Sequence, residues 1–429
     1  MLDIKFIRNY PDKVKESCKQ KHIKVDVDLL LEVDKRKRQT LQALEDMLAQ
    51  KNQASKIISR TKDEKEKRKL ILEMRELDEN SDRLTKVLKE SEGEFNNLML
   101  QIPNLPLDDV PIGRDEKDNV VSREWGEKSK FDLPAGRQGF QPKNYLELAE
   151  NLDLIDVKRA AKISGTRFGI LKKEAALLEF SLINFTFETL LKDGFIPVIP
   201  PIMLKPEMLE KSGHLSEKDK PERYFIEKDN AYLAGTAEQP IAAMHADEIF
   251  EEKDLPRRYL GFSTCFRREA GASGKDTKGI FRVHQFDKIE MFSICHPEKS
   301  SREHQFLLSC QEKLMQSLKI PYRVIQICTG DLGFPAAAAY DIEAWMPSEN
   351  RYRETHTTFN DTDFQTRRLN IRYRDFKTKK LAITHALNGT AFAIGRTLIA
   401  IIENYQQRDG SIKVPEVLEK YLKFKKIGK

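Results

Sequence analysis

The segment CFRREAGASGKDTKGIFRVHQFDKIE (Cys265–Glu290) carries an unusual density of reactive groups. An apolar run ends in Arg267, Arg268 and Glu269, a loop with three glycines follows, and Arg282, Phe286 and Glu290 come next. A guanidinium is a permanently charged planar fork suited to phosphate oxygens. The even spacing from Arg282 to Phe286 to Glu290 puts all three on one face of a strand. Charge, a flat ring and a carboxylate in line suit a nucleotide bound beside a second substrate bearing an amine or hydroxyl. The plainer reading is a surface hairpin with cross-strand ion pairs, each of which contributes little. The extended pattern favours a cleft.

Three further segments repeat the theme. In LAGTAEQP, Thr236, Ala237 and Glu238 follow a glycine, and Thr236 with Gln239 also reads as a helix cap. In RETHT, Glu354, Thr355, His356 and Thr357 bring a carboxylate and hydroxyls to a strand end. In LNGTAFAIGR, small residues including Thr390 open a stretch read as an apolar helix from Gly389 onward, whose first turns hold Arg396. An arginine there is costly without an anionic partner. No GxGxxG and no P-loop occurs, so phosphates would have to be held by side chains. The five cysteines (Cys18, Cys265, Cys295, Cys310, Cys328) are scattered, with no CxxC pair, so neither zinc nor a disulfide framework is expected.

The elements that must position these residues follow from patterning. The chain has 429 residues, 39% hydrophobic and 33% charged, with a formal charge of +6, which allows two or three domains and a nucleic-acid partner without requiring one. The start lacks an apolar signal core and no run of about 20 apolar residues occurs, so a cytoplasmic protein with no membrane contact is expected. Between about 27 and 98 the sequence is proline-free. Leu70, Met74, Leu77, Ser81, Leu84, Leu88, Ser91, Phe95 and Leu98 step alternately by four and three, the period of paired helices. A polar break, SRTKDEKEK (Ser59–Lys67), makes this an antiparallel helical hairpin within an N-terminal domain, 1–101. IPNLPLDDVPIG opens a linker, 102–130. The remainder, 131–429, alternates candidate strands joined by short loops with separate helices, which predicts an α+β domain with an antiparallel sheet.

Taken in order, the Gly194–Pro201 segment, Thr-Ala-Glu, Phe-Arg-x-Glu with its long loop, and Asn-Gly-Thr…Gly-Arg resemble the motifs of class II aminoacyl-tRNA synthetases. With the N-terminal hairpin, the chain resembles the seryl-tRNA synthetases of the bacterial type. That resemblance implies ATP-dependent attachment of L-serine to tRNA(Ser) through a seryl-adenylate, with tRNA(Sec) left open as a second substrate. It implies ATP and Mg²⁺, a homodimer, and a hairpin reaching the long variable arm of serine tRNA.

The resemblance also assigns roles. Arg267, Glu269, Arg282 and Arg396 would be catalytic. Thr236, Ala237, Glu238, Arg267, Glu290 and Thr390 would bind serine. Arg267, Arg268, Glu269, Arg282, Val283, Phe286, Glu354, Thr355, His356, Thr357 and Arg396 would bind ATP, with Glu354 and Thr357 on Mg²⁺. The loop 270–279 would close over ATP. Two departures stand out: His356 falls where the family has serine, and Leu133–Gly139 looks like a tolerated insertion. A homologue loading serine onto a non-tRNA carrier is the competing reading. A non-enzymatic RNA-binding descendant and a plain coiled-coil scaffold fit the intact arginines and the long remainder of the chain less well.

Overall fold

The computed structural model describes residues 1–428 apart from 129–130, 132–139, 217–218, 272–275 and 277. The expected insertion Leu133–Gly139 thus lies outside the described residues. The chain divides into two compact units, Met1–Pro103 and Asn104–Lys429.

In the first unit, the short helices Ile4–Asn9 and Pro11–Gln20 precede two long ones, Val27–Ile58 and Glu64–Gln101. Asp26 and Asp63 cap the long helices, each side chain accepting a backbone N–H of the first turn. At 1.5 Å per residue the arms are about 48 and 57 Å long. Arg36 pairs with Glu94, Lys51 with Asp78, and Ser55 Oγ lies 3.9 Å from Met74 Sδ. As one partner advances along the chain the other retreats, so the arms run antiparallel. Every seam residue from Leu70 to Leu98 is at least partly buried, while the residues between them are exposed. The base is closed by Ile7, Val14, Leu30, Val33, Phe95 and Met99, all buried. Asp34 is buried there too, held by Arg8 at 2.7 Å and Arg38 at 3.1 Å.

The second unit is built on an eight-stranded sheet: β1 Val120–Trp125, β2 Ile196–Val198, β3 Arg257–Phe266, β4 Gln285–Cys295, β5 Tyr322–Gln326, β6 Ala338–Met346, β7 Arg351–Asn360 and β8 His385–Ala393. The order is β1-β5-β6-β7-β8-β4-β3-β2. All neighbours are antiparallel except β2, which runs parallel to β3. The helices Lys173–Leu190, Ser300–Ser317 and Ile394–Asn404 pack Leu178, Leu182, Leu307, Leu314, Leu398 and Ile402 into a common core with Ile289, Met291 and Leu387 of the sheet.

Two expectations shift. Part of the stretch read as a linker is integral to this unit: Leu107 and Val110 join a small core and β1 is a sheet strand. The helix expected from Gly389 begins only at Ile394, because Gly389–Ala393 continue β8. Gly389 is needed there: a Cβ would come within 2.9 Å of Thr358 Oγ1 on β7. Small apolar residues satisfy either period, and pairing with β4 as far as Ala393, joined by β7 at Gly389, decides for strand.

Candidate functional site

Along β4 the side chains alternate cleanly. Ile289 and Met291 enter the core, while Phe286, Lys288 and Glu290 line a cavity of about 270 Å³. Arg282 precedes the strand and lines the same cavity. Across the hairpin, Arg267 follows β3. Its backbone N–H donates to the His284 carbonyl at 3.0 Å, its Nε to the Gly235 carbonyl at 3.3 Å, and its guanidinium lies 5.4 Å from the Phe286 ring centre. Glu269 sits at φ 53°, an uncommon conformation for a carboxylate residue, with Oε2 3.4 Å from Arg282 Nη1. The far end of the intervening loop is anchored at Gly279 (φ +77°), where a Cβ would collide with the Tyr145 hydroxyl. That hydroxyl accepts the Ile280 N–H at 2.9 Å, and burial pushes it up to about 12. Residues 272–275 and 277 of the loop expected to close over ATP lie outside the described residues.

β7 and β8 reach the cavity through two bulges. On β7, Ile342 pairs with His356 and Glu343 with Glu354, leaving Thr355 as the extra residue. Glu354 and Thr357, three apart, therefore both line the cavity, which a regular strand would forbid. On β8, Ile289 pairs with Phe392 and Glu290 with Thr390, leaving Ala391 over. Thr390 and Ala393 line the cavity while Phe392 turns into the core. Arg396, on the helix that follows, donates to Glu354 Oε1 at 2.7 Å and lies 4.8 Å from the Phe281 ring centre. Enclosure by the cleft walls opposes ionisation of Glu354, but Arg396, then Arg267 and Arg282, outweigh it and lower its pKa.

At the other end, Glu238 and Glu290 are both buried. Burial raises the pKa of each; Gln365, Lys288, Arg223 and Arg267 act against it at Glu238, and Lys288 and Arg267 at Glu290. Lys288 Nζ lies 2.5 Å from Glu290 Oε2, and Thr390 Oγ1 donates to the same oxygen at 3.5 Å. Thr236 Oγ1 accepts the Glu238 N–H at 3.3 Å, whereas Gln239 reaches back to Gly235 N at 2.9 Å, one residue short of the capping box the sequence suggested.

Most sequence-predicted residues, Val283 and Thr355 included, thus meet in one cavity. Three do not line it. Ala237 is fully buried beside Ile241, Arg268 stands 5.9 Å from the Tyr224 ring, and His356 is buried under Phe392 with Nδ1 2.7 Å from Thr355 Oγ1. Burial holds that imidazole neutral, its pKa lowered to about 3. The cavity also recruits residues that patterning missed. Lys288 had a usable signal, sharing the even spacing of Arg282, Phe286 and Glu290. Arg223 and His214 lie in irregular segments with none. Burial lowers the pKa of Arg223, and Gly235 gives it room, since a Cβ there would sit 2.1 Å from Arg223 Nη1.

A second cavity, about 980 Å³, shares Phe281, Arg282, Glu354 and Arg396 with the first and adds Arg323, Arg351 and Arg353. Among the described residues no group of three or more His, Cys, Asp or Glu is arranged to hold a metal ion, and no helix is long and apolar enough to cross a membrane. Ser212, His214 and Glu238 are in contact, but Ser212 is wholly buried beside the Leu209 carbonyl, out of reach of any substrate. The arrangement can hold a flat group, a polyanion and a small amine side by side.

The comparisons agree. Residues 224–405 match the tRNA synthetase class II core domain (G, H, P, S and T), and residues 1–106 the seryl-tRNA synthetase N-terminal domain. A serine–tRNA ligase from Dictyoglomus turgidum is 44% identical, covering 98% of both chains. The solved seryl-tRNA synthetase from Pyrococcus horikoshii complexed with ATP matches with a TM-score of 0.92 at 41% identity, covering 100% of this chain and 99% of the other. The cytoplasmic serine–tRNA ligase from Naegleria fowleri in complex with AMP matches with a TM-score of 0.88 at 35% identity, covering 100% and 98%. Matched over both its N-terminal unit and its core, and end to end by these relatives, the chain belongs to the seryl-tRNA synthetase family.

Proposed function

We propose that this chain activates L-serine with ATP and transfers it to tRNA(Ser). The observation that carries the reading is the convergence of Arg267, Arg282, Arg396, Phe286, Glu238 and Glu290 on one cavity. The serine carboxylate attacks the α-phosphorus and pyrophosphate leaves. The terminal 3′-hydroxyl of tRNA then attacks the acyl carbon and AMP leaves. A carboxylate is already a nucleophile, so positioning and charge neutralisation suffice. In this reading Arg267 meets the α-phosphate and the serine carboxylate, with Glu269 alongside. Arg282 and Arg396 meet the outer phosphates, and Phe286 stacks on adenine beside the Val283 backbone. Thr236 and Glu238 receive the ammonium, and Glu290 and Thr390 the serine hydroxyl.

Glu354 and Thr357 fit Mg²⁺. Beside them Asp341, paired across the strands with Thr357, has a buried oxygen with no hydrogen-bond partner among the described residues. Burial, then Glu354, pushes that carboxyl well above its usual range, which a divalent cation would relieve. When bound with substrate phosphates, the ion would neutralise their charge.

A homodimer is supported by apolar side chains left exposed on the helix Lys173–Leu190, Leu177 at 49% and Phe180 at 63%, and just after the edge strand β2, Ile199 at 82%. Five buried free cysteines suit a reducing cytoplasm. Serylation of tRNA(Sec) is the same chemistry on another tRNA and is read in the same charging assay. The test is amino-acid-dependent ATP–pyrophosphate exchange across the twenty amino acids without tRNA. Serine should stimulate it best, and a different best amino acid overturns the assignment. Charging of tRNA by the same preparation separates this reading from one that loads a non-tRNA carrier.

A further inference from the structure

Glu238 meets two side chains from separate segments, one a hydrogen-bond donor and the other an imidazole within reach. Gln365, on the short helix Phe364–Arg368, donates Nε2–H to Glu238 Oε1 at 2.7 Å, and His214 Nε2 lies 3.3 Å from the same oxygen. Both are tied to Ser212: Gln365 Nε2 also donates to its carbonyl at 3.2 Å, and its hydroxyl lies 3.2 Å from His214 Nδ1. Gly213, at φ +86°, turns the chain so that His214 faces the cavity, and a Cβ there would press within 3.2 Å of the Phe364 ring.

The tautomer follows from the acceptors. A hydrogen bond to a carboxylate is roughly twice as strong as one between neutral groups, so the ring proton belongs on Nε2. Nδ1 then accepts from the Ser212 hydroxyl, which turns to it from the Leu209 carbonyl 2.9 Å away. Burial, reinforced by Arg223, pushes His214 down to about 3, so the ring is neutral at physiological pH. Neutrality matters because Arg223, Arg267 and Lys288 already face Glu238, with Glu290 opposing them and Asp219 near His214. A further cation would compete with a substrate ammonium, whereas a neutral N–H orients the carboxylate and leaves its charge available.

We infer that His214 is a positioning residue: its Nε2–H, with Gln365, fixes the Glu238 carboxylate to receive the amino group of the substrate. This rests on the reading of Glu238 as the ammonium's partner. The test is pyrophosphate exchange with serine and ATP varied in turn from pH 5.5 to 8.5, a span of about three units around the ordinary imidazole range. His214→Leu should raise the serine KM ~10–100-fold at neutral pH, the range for losing a hydrogen bond to a charged group, with the ATP KM and kcat little changed.

The pH profile should move as well. Glu238 binds the ammonium only when ionised, and with one donor fewer it holds its proton to higher pH. The fall of serine KM with rising pH should therefore shift upward in His214→Leu. His214→Gln, whose amide can donate to Glu238, should restore both KM and profile. If His214→Leu does not fold, His214→Asn, too short to reach, makes the same comparison against His214→Gln. Equal rises in both KM values, a Gln variant as impaired as Leu, or no change in Leu would overturn the inference. A Glu238→Gln variant with unchanged serine KM would instead overturn the reading beneath it.

Discussion

One extra residue in each of two neighbouring strands decides what the cleft contains. Thr355 and Ala391 each reverse the facing of the residues after them, so Glu354 and Thr357 face the cavity and His356 and Phe392 meet in the core. His356, which stands where relatives were expected to carry serine, is thus a packing residue. His356→Ser should lower stability by about 2 kcal/mol through the cavity it leaves, read as a lower Tm. The Mg²⁺ concentration giving half-maximal exchange should not move; if it does, the imidazole acts on the metal site. The arginines belong to the chemistry itself. Arg267→Ala and Arg396→Ala should each slow adenylate formation ~10²–10³-fold, typical of removing a donor aimed at developing charge. Near-wild-type single-turnover rates in both would mean that the phosphates bind elsewhere.

Among the elements, legibility followed periodicity. The helical hairpin can be read residue by residue because its seam repeats in steps of three and four without interruption from Leu70 to Leu98, and every seam position is at least partly buried. β4 was legible because polar and apolar residues alternate along it. Only the last five residues of β8, Gly389–Ala393, read as helix, because Gly-Thr-Ala-Phe-Ala has no polar face to betray its period. Neither bulge was visible, since a bulge is a property of a pair of strands and leaves no mark in one of them. Also hidden was how the hairpin base is fastened: Asp34 lies in a run of lysines and arginines, yet it is the buried member of that run. Burial opposes its ionisation, but hydrogen bonds from Arg8 and Arg38 outweigh it and hold the carboxyl below its ordinary range. That stabilisation is complete above the unfolded value of about 3.9 and fades as pH falls through the lower folded value. Asp34→Asn should destabilise the hairpin base by about 2 kcal/mol at neutral pH by weakening the charge-assisted hydrogen bonds from Arg8 and Arg38. Amide-exchange protection within Val27–Ile58 measures this, and the deficit should shrink as pH drops below about 4. A deficit independent of pH would assign the loss to packing.

At the scale of the molecule, the chain forms two compact units. Every residue lining the cleft belongs to Asn104–Lys429, and the hairpin holds none of them. The hairpin's own chemistry suits a backbone reader. Lys56 and Arg60 are exposed near its tip, while Arg36, Lys51 and Arg38 are engaged by Glu94, Asp78 and Asp34. Phosphate contacts by such exposed cations weaken as salt rises, and an RNA arm is recognised chiefly by shape and backbone. Because the pairing of the arms is known, the distal rod can be removed while the base is kept. Replacing residues 41–89 by a short polar turn retains Val33, Asp34, Arg36, Glu94 and Phe95. Serine-dependent pyrophosphate exchange should stay within about twofold of the full chain, since nothing that neutralises charge in the cleft is touched. Charging of tRNA(Ser) should fall by ~10² or more, as expected when several phosphate contacts are lost together. The residual charging should also depend less steeply on salt than that of the full chain. Charging that survives while exchange collapses would reverse the division of labour. Equal loss of both, in a protein whose melting and oligomeric state are unchanged, would mean that the hairpin also serves activation.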